Sequence, residues 1–193
     1  MKESGISQLI ARTATLARGR VLTIAAAVFA PLAVWMFAVA VPATREACGA
    51  PPLDMRMHYG AGDVTRFLAN CGADGIEAYR RMQIADLIYP AVLAFFLFIA
   101  TAVVMRRLFG SRSPAVLLAL VPIVGSVADY AENVVAWMYL TASPAPFWGD
   151  LMGVAATIKT IAGWIGGVVL LVGLVAVGVR WTTQRFRHSS VPA

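Results

Sequence analysis

The chain has 193 residues, 60% of them hydrophobic and only 13% charged, with a mean hydropathy of +0.75. A soluble domain carries roughly 45–50% apolar and about 25% charged residues, so this composition excludes a water-soluble globular class and points to one integral membrane domain over residues 1–193. The net charge of +6 is no nucleic-acid signature, because no basic patch interleaved with aromatics accompanies it; it reads as membrane topology.

Residues 1–20 hold Lys2, Arg12, Arg18 and Arg20. Ile6, Leu9, Ile10 and Leu16 recur at near-helical spacing, which fits either a short helix on the membrane surface or a basic tail. Residues 21–41 are apolar except Thr23, long enough to cross about 30 Å of hydrocarbon. The run exceeds the roughly 7–15-residue core of a cleaved signal, so it is expected to be a retained first span, kinked at Pro31.

Residues 42–82 change character. Glu46, Asp54, Asp63, Asp74 and Glu77 fall here with five arginines and three prolines, predicting an outer loop. Asp63 is expected to cap a short helix closed near Gly72, and Asp74 to cap a second helix running into the next span. The second span is expected over 83–105, with Asp86 near its start and Pro90 a turn later. A basic turn containing Arg106, Arg107 and Arg112 follows, and Pro114 suits the first turn of a third span over 114–140. A short loop leads to a glycine-rich fourth span over 151–179, then Arg180, Arg185 and Arg187. Gly163, Gly167 and the other small residues of that span suit close internal helix packing.

The basic residues set the orientation. Lys2, Arg12, Arg18, Arg20, Arg106, Arg107, Arg112, Arg180, Arg185 and Arg187 lie in the tails and the second turn, while the loop between spans three and four has none. The positive-inside rule then places both termini in the cytoplasm and the protein in the cell (cytoplasmic) membrane. The two cysteines, Cys48 and Cys71, both fall in the outer loop, where a disulfide persists and would stabilise by about 3 kcal/mol. They do not form a C-x-x-C pair, which argues against a thiol oxidase of the four-helix kind.

The third span carries Ala128-Asp129-Tyr130-Ala131-Glu132-Asn133. Asp129, Glu132 and Asn133 are spaced i, i+3 and i+4 and share one helix face. A charge at mid-membrane costs roughly 2.5–3.5 kcal/mol, so something must offset it. Counting 1.5 Å per residue from the outer ends puts Glu132 and Lys159 both at a depth of roughly 12 Å, Asp129 at roughly 16 Å and Asp86 at roughly 5 Å. Two readings follow. Lys159 pairs with Glu132 as a polar staple while Asp86 caps its helix or meets Arg80 or Arg81. Alternatively, because one lysine cannot neutralise three acids, the group lines an outward-facing pocket. The candidate ligand-binding residues are Asp86, Tyr89, Asp129, Tyr130, Glu132, Asn133 and Lys159.

Other chemistries lack their residues. Neither His58 nor His188 lies in a span, no Glu-x-x-His pair accompanies the acids, and there is no phosphate loop or G-x-S-x-G elbow, so no metal site and no cofactor are expected. Met55, Met57 and His58 are a weak copper motif, read more readily as packing.

The run Ala78-Tyr79-Arg80-Arg81-Met82-Gln83-Ile84-Ala85-Asp86-Leu87-Ile88-Tyr89-Pro90, followed by the Ala128–Asn133 motif, resembles a pattern in uncharacterised bacterial four-span membrane proteins. The plan is also loosely similar to the emopamil-binding sterol-isomerase superfamily, which places acids and an amide within its spans. Those isomerases use a membrane-embedded histidine, which this chain lacks. A claudin-like plan is matched by the two loop cysteines, but the first loop has no Trp.

The expectation is an all-α, four-helix transmembrane bundle with a helical extracytoplasmic loop between spans one and two. The leading function is a binding or accessory protein whose outward-facing acidic pocket takes a lipid-like or cationic small molecule, or a membrane-protein partner's helix, with the lipid bilayer as its surroundings. The alternatives are a membrane enzyme acting on a lipid or isoprenoid through Asp129 or Glu132 as general acid or base, and a proton- or cation-coupled transport subunit.

Overall fold

The structure, a computed structural model, describes residues 5–142 and 144–189. Lys2 lies outside the described residues, as do the side chains of Arg187 and His188. The fold is all-α: no strand occurs among the described residues, and four helical stretches are long and apolar enough to cross a membrane. They are Gly19–Cys48, Ala61–Phe109, Pro114–Thr141 and Pro146–Arg185. The chain is a multi-pass membrane bundle whose spans all run past the expected bounds.

Helix α1 (Gly5–Leu16) precedes the first span and packs at the arginine end of the bundle through Ala14, with Ala17 buried just past its end and Ile6, Leu9 and Leu16 exposed. The first span joins α2 (Gly19–Trp35) to α3 (Val41–Cys48) through a π turn at Met36–Ala40, where the Val41 N–H donates to the Met36 carbonyl. The helix assignment continues through Pro31, and its departure from α geometry falls at this turn instead. Helix α3 ends where Gly49 takes the left-handed conformation (φ 66°), which glycine adopts without steric cost.

Helix α4 (Ala61–Ala85) is bent at Gly72 (φ 60°). The stretch before Gly72 crosses the loop end of the bundle, from the start of α7 to the tip of α3. The stretch after it returns antiparallel to α3, and the Cys48–Cys71 disulfide fastens the corner. The expected closure near Gly72 is present. Asp63 does not cap from the N-cap position, which belongs to Gly60. Asp63 stands three residues in, and its carboxylate accepts from the Gly60 N–H at 3.1 Å.

A break at 86–88 separates α4 from α5 (Tyr89–Phe109). The third span opens as a 3₁₀ segment, Pro114–Leu120, capped by Ser113 Oγ on the Ala115 N–H at 3.2 Å, and continues as α6 (Val121–Thr141). Helix α7 (Pro146–Ser189) is one long rod. At the arginine end, Arg180 donates to the Leu108 carbonyl at 2.7 Å and Arg106 to the Ala14 carbonyl at 3.4 Å. From Arg20 to Arg45 the helix rises roughly 38 Å, and from Asp150 to Arg180 roughly 45 Å, matching a bilayer with its interfaces.

The expected outer loop is not a polar ectodomain throughout. After Cys48 the chain turns back into the bundle, reaches Asp54 beside Lys159, and climbs along α7. His58 Nδ1 lies 3.0 Å from Thr157 Oγ1, and the Ala61 N–H donates to Asp150 Oδ1 at 3.0 Å. Two glycines make the track for this re-entrant loop. A Cβ on Gly153 would collide with the Tyr59 carbonyl, and one on Gly149 with Ala61 and the Tyr139 hydroxyl. The Gly163 and Gly167 positions, expected to pack internally, have nothing within 4 Å of a Cβ and lie on the open face of α7. Gly149, Gly153, Gly166 and Gly173 carry the close contacts instead, because the packed face is set by where the loop, Pro122 and Val104 arrive.

Candidate functional site: an acidic intramembrane cavity

The expected cluster exists, with a division of labour the helical wheel does not show. Glu132 is fully buried and pairs with the Lys159 ammonium. Lys159 also lies 3.2 Å from Asp129 Oδ1 and donates to the Asp54 backbone carbonyl at 3.2 Å. Depth counting placed Lys159 level with Glu132 because both helices enter from the same side and rise equally per residue. The second oxygen of Glu132 accepts from the Tyr59 hydroxyl at 2.5 Å. Burial, reinforced by the Glu132 carboxylate, holds the Tyr59 phenol well above its ordinary range, so it remains a neutral donor.

Asn133 and Tyr130 do different work. The Asn133 amide donates to the Asp86 backbone carbonyl at 3.1 Å, and the Tyr130 hydroxyl to the Leu87 carbonyl at 2.9 Å. These carbonyls belong to the break between α4 and α5. A broken helix inside a membrane survives only when neighbours satisfy its freed backbone groups, and two side chains of the third-span motif do so. The motif is thus a two-sided clamp. Asp129 and Glu132 hold the fourth span through Lys159, while Tyr130 and Asn133 hold the broken second span.

A cavity of about 220 Å³ lies between these spans. Asp54, Asp86, Asp129, Lys159 and Tyr89 line its polar end, and Leu93, Leu97, Pro122 and Ala162 its apolar end. Of the seven candidates, Asp86, Tyr89, Asp129 and Lys159 reach the cavity. Tyr130, Glu132 and Asn133 do not line it and are committed to the frame. Asp86 is 6% exposed, and among the described residues no Lys or Arg lies within ion-pair distance of it. The alternative partners Arg80 and Arg81 pair with Glu77 instead, at 3.7 and 2.9 Å.

Sequence reasoning missed Asp54, Tyr59 and Gln83. Both Asp54 carboxylate oxygens accept from the buried Gln83 amide, at 3.1 and 3.0 Å. The available signal was an acid set between Pro51-Pro52-Leu53 and Met55, an apolar setting unusual for a solvated loop. With Asp54 counted, four carboxylates gather around one ammonium. No group of three or more His, Cys, Asp or Glu among the described residues is placed to hold a metal ion. Met55 is half exposed at the cavity's edge, Met57 points outward, and His58 is engaged with Thr157.

Helix α2 packs on α5, while α7 packs on α5 and α6. Phe37 and Met55, each 50% exposed, and the exposed Gly163 belong to the cavity lining. No known protein family, curated protein or solved structure matches the chain.

Proposed function

We propose that this protein binds a small amphiphile taken sideways from the bilayer. The observation that carries the reading is the polarity of the cavity: carboxylates gather at one end, the other is apolar, and the exposed Phe37, Met55 and Gly163 on its lining offer the way in from lipid. A ligand with a polar head and an apolar chain matches that division, whereas a fully polar solute would have to cross the apolar rim. The protein is a multi-pass resident of the cytoplasmic membrane with both termini inside. Two observations support this orientation: the arginine end holds no acidic residue among those described, and the cysteines sit bonded at the opposite end.

Gly163→Leu is the direct test. A Cβ there meets nothing within 4 Å, and Gly163 belongs to the cavity lining, so a leucine is expected to narrow the entrance without forcing the helices apart. Native mass spectrometry of protein extracted in polymer-bounded membrane discs is expected to show a retained small amphiphile, reduced several-fold in Gly163→Leu. Equal retention by both proteins refutes the pocket.

A further inference from the structure

We infer that the head of the ligand is an alkylammonium, lodged beside Asp86 and Asp54 and against the rings of Phe37 and Tyr89. The inference rests on the amphiphile pocket and adds the chemistry of the head.

The residual charge is the starting point. Glu132 is satisfied by Tyr59 and Lys159, and Asp129 shares the same lysine. Asp54 receives only the neutral Gln83 amide on its carboxylate, and Asp86 has no cation within ion-pair distance among the described residues. Both line the cavity. Asp86 is buried and Asp54 partly buried, a carboxylate withdrawn from water without a counter-charge is disfavoured, and a neutral or anionic head would leave these two as they are or worse. A cationic head supplies what is missing.

Shape and surroundings select an organic cation. No group of three or more His, Cys, Asp or Glu among the described residues is placed as metal ligands are, and the cavity as a whole, at about 220 Å³, is far larger than a metal ion needs. That space holds an ammonium and its first methylenes, with the chain leaving beside Gly163. The walls beside the acids are aromatic. Tyr89 lines the cavity, with Phe37 edge-on to it at 6.1 Å between ring centroids. Aromatic faces next to carboxylates are the setting that attracts ammonium and quaternary ammonium groups.

The test holds the chain constant and varies the head. Radiolabelled dodecyltrimethylammonium, dodecanol and dodecanoate are titrated onto the full-length protein in phosphatidylglycerol nanodiscs, with empty discs subtracted. The ammonium is expected to bind on the order of ten-fold tighter than the alcohol, with no saturable uptake of the carboxylate. Asp86→Asn and Asp54→Asn are each expected to lower the ammonium affinity about ten-fold. Equal affinity for the ammonium and the alcohol on the unaltered protein overturns the alkylammonium head and leaves the amphiphile pocket standing. Absence of saturable binding by any of the three probes, or binding indifferent to Gly163→Leu, overturns the pocket itself. The comparison on the unaltered protein decides the question even if an aspartate variant does not fold.

Discussion

Lys159 serves three acceptors at once: Asp129, Glu132 and the Asp54 carbonyl. Lys159→Met would leave the fully buried Glu132 carboxylate without a cation. Breaking one side of a buried pair costs about 3–5 kcal/mol, whereas removing both charges together is far less damaging. Thermal unfolding in nanodiscs should therefore show a large fall for Lys159→Met and substantial recovery for Lys159→Met with Glu132→Gln. The Lys159–Glu132 pair was legible in the sequence because helix rise converts residue number into depth. Asp54 and Tyr59 were not, because a loop has no period from which depth or direction can be read. The roles of Tyr130 and Asn133 were hidden for a related reason. Their acceptors are backbone carbonyls of a helix break, and the hydropathy of residues 83–105 does not announce that break.

Among the elements, α7 makes the sharpest contrast. Its glycines look alike in sequence and differ in the fold. Gly153→Ala places a methyl against the Tyr59 carbonyl, and overpacking of this kind costs about 1–3 kcal/mol. Gly163→Ala meets nothing and gains up to about 1 kcal/mol of helix propensity. Melting temperatures should move in opposite directions. Trypsin should also cut after Arg56 faster in Gly153→Ala, because the re-entrant loop loses its track. Glycine spacing marks where a helix can be approached closely, but only the approaching partner decides which of the spaced glycines is used. Here the partner is a loop over Gly149 and Gly153, which the search for helix seams would not consider.

At the scale of the whole molecule, the hydropathy pattern carried the four spans and the all-α fold, and the place of both cysteines in one loop carried the pairing of Cys48 with Cys71. It carried less of the loop end, where residues 49–60 fold inward and α4 caps the bundle before descending. Apolar content and helix period report what a segment can bury, and the descent of a proline-led loop into a polar cluster leaves little trace in either. The disulfide ties α3 to the corner of α4 over a sequence separation of 23. On the chain-entropy account its loss costs about 3 kcal/mol. A reductant, or Cys48→Ala with Cys71→Ala, should lower the unfolding temperature accordingly in nanodiscs. An impermeant maleimide added from outside the cell should label the cysteines only after reduction.

The place of Lys159 in the chain also bears on how the protein is made. Asp129 and Glu132 leave the ribosome before Lys159, the cation that joins them, and so does the loop that rests on Gly149 and Gly153. Three spans inserted alone hold a set of carboxylates with no counter-ion and a loop with nowhere to lie. Arrival of α7 supplies both in one step. Packing of the first three spans around this cluster is therefore completed only when α7 is in place.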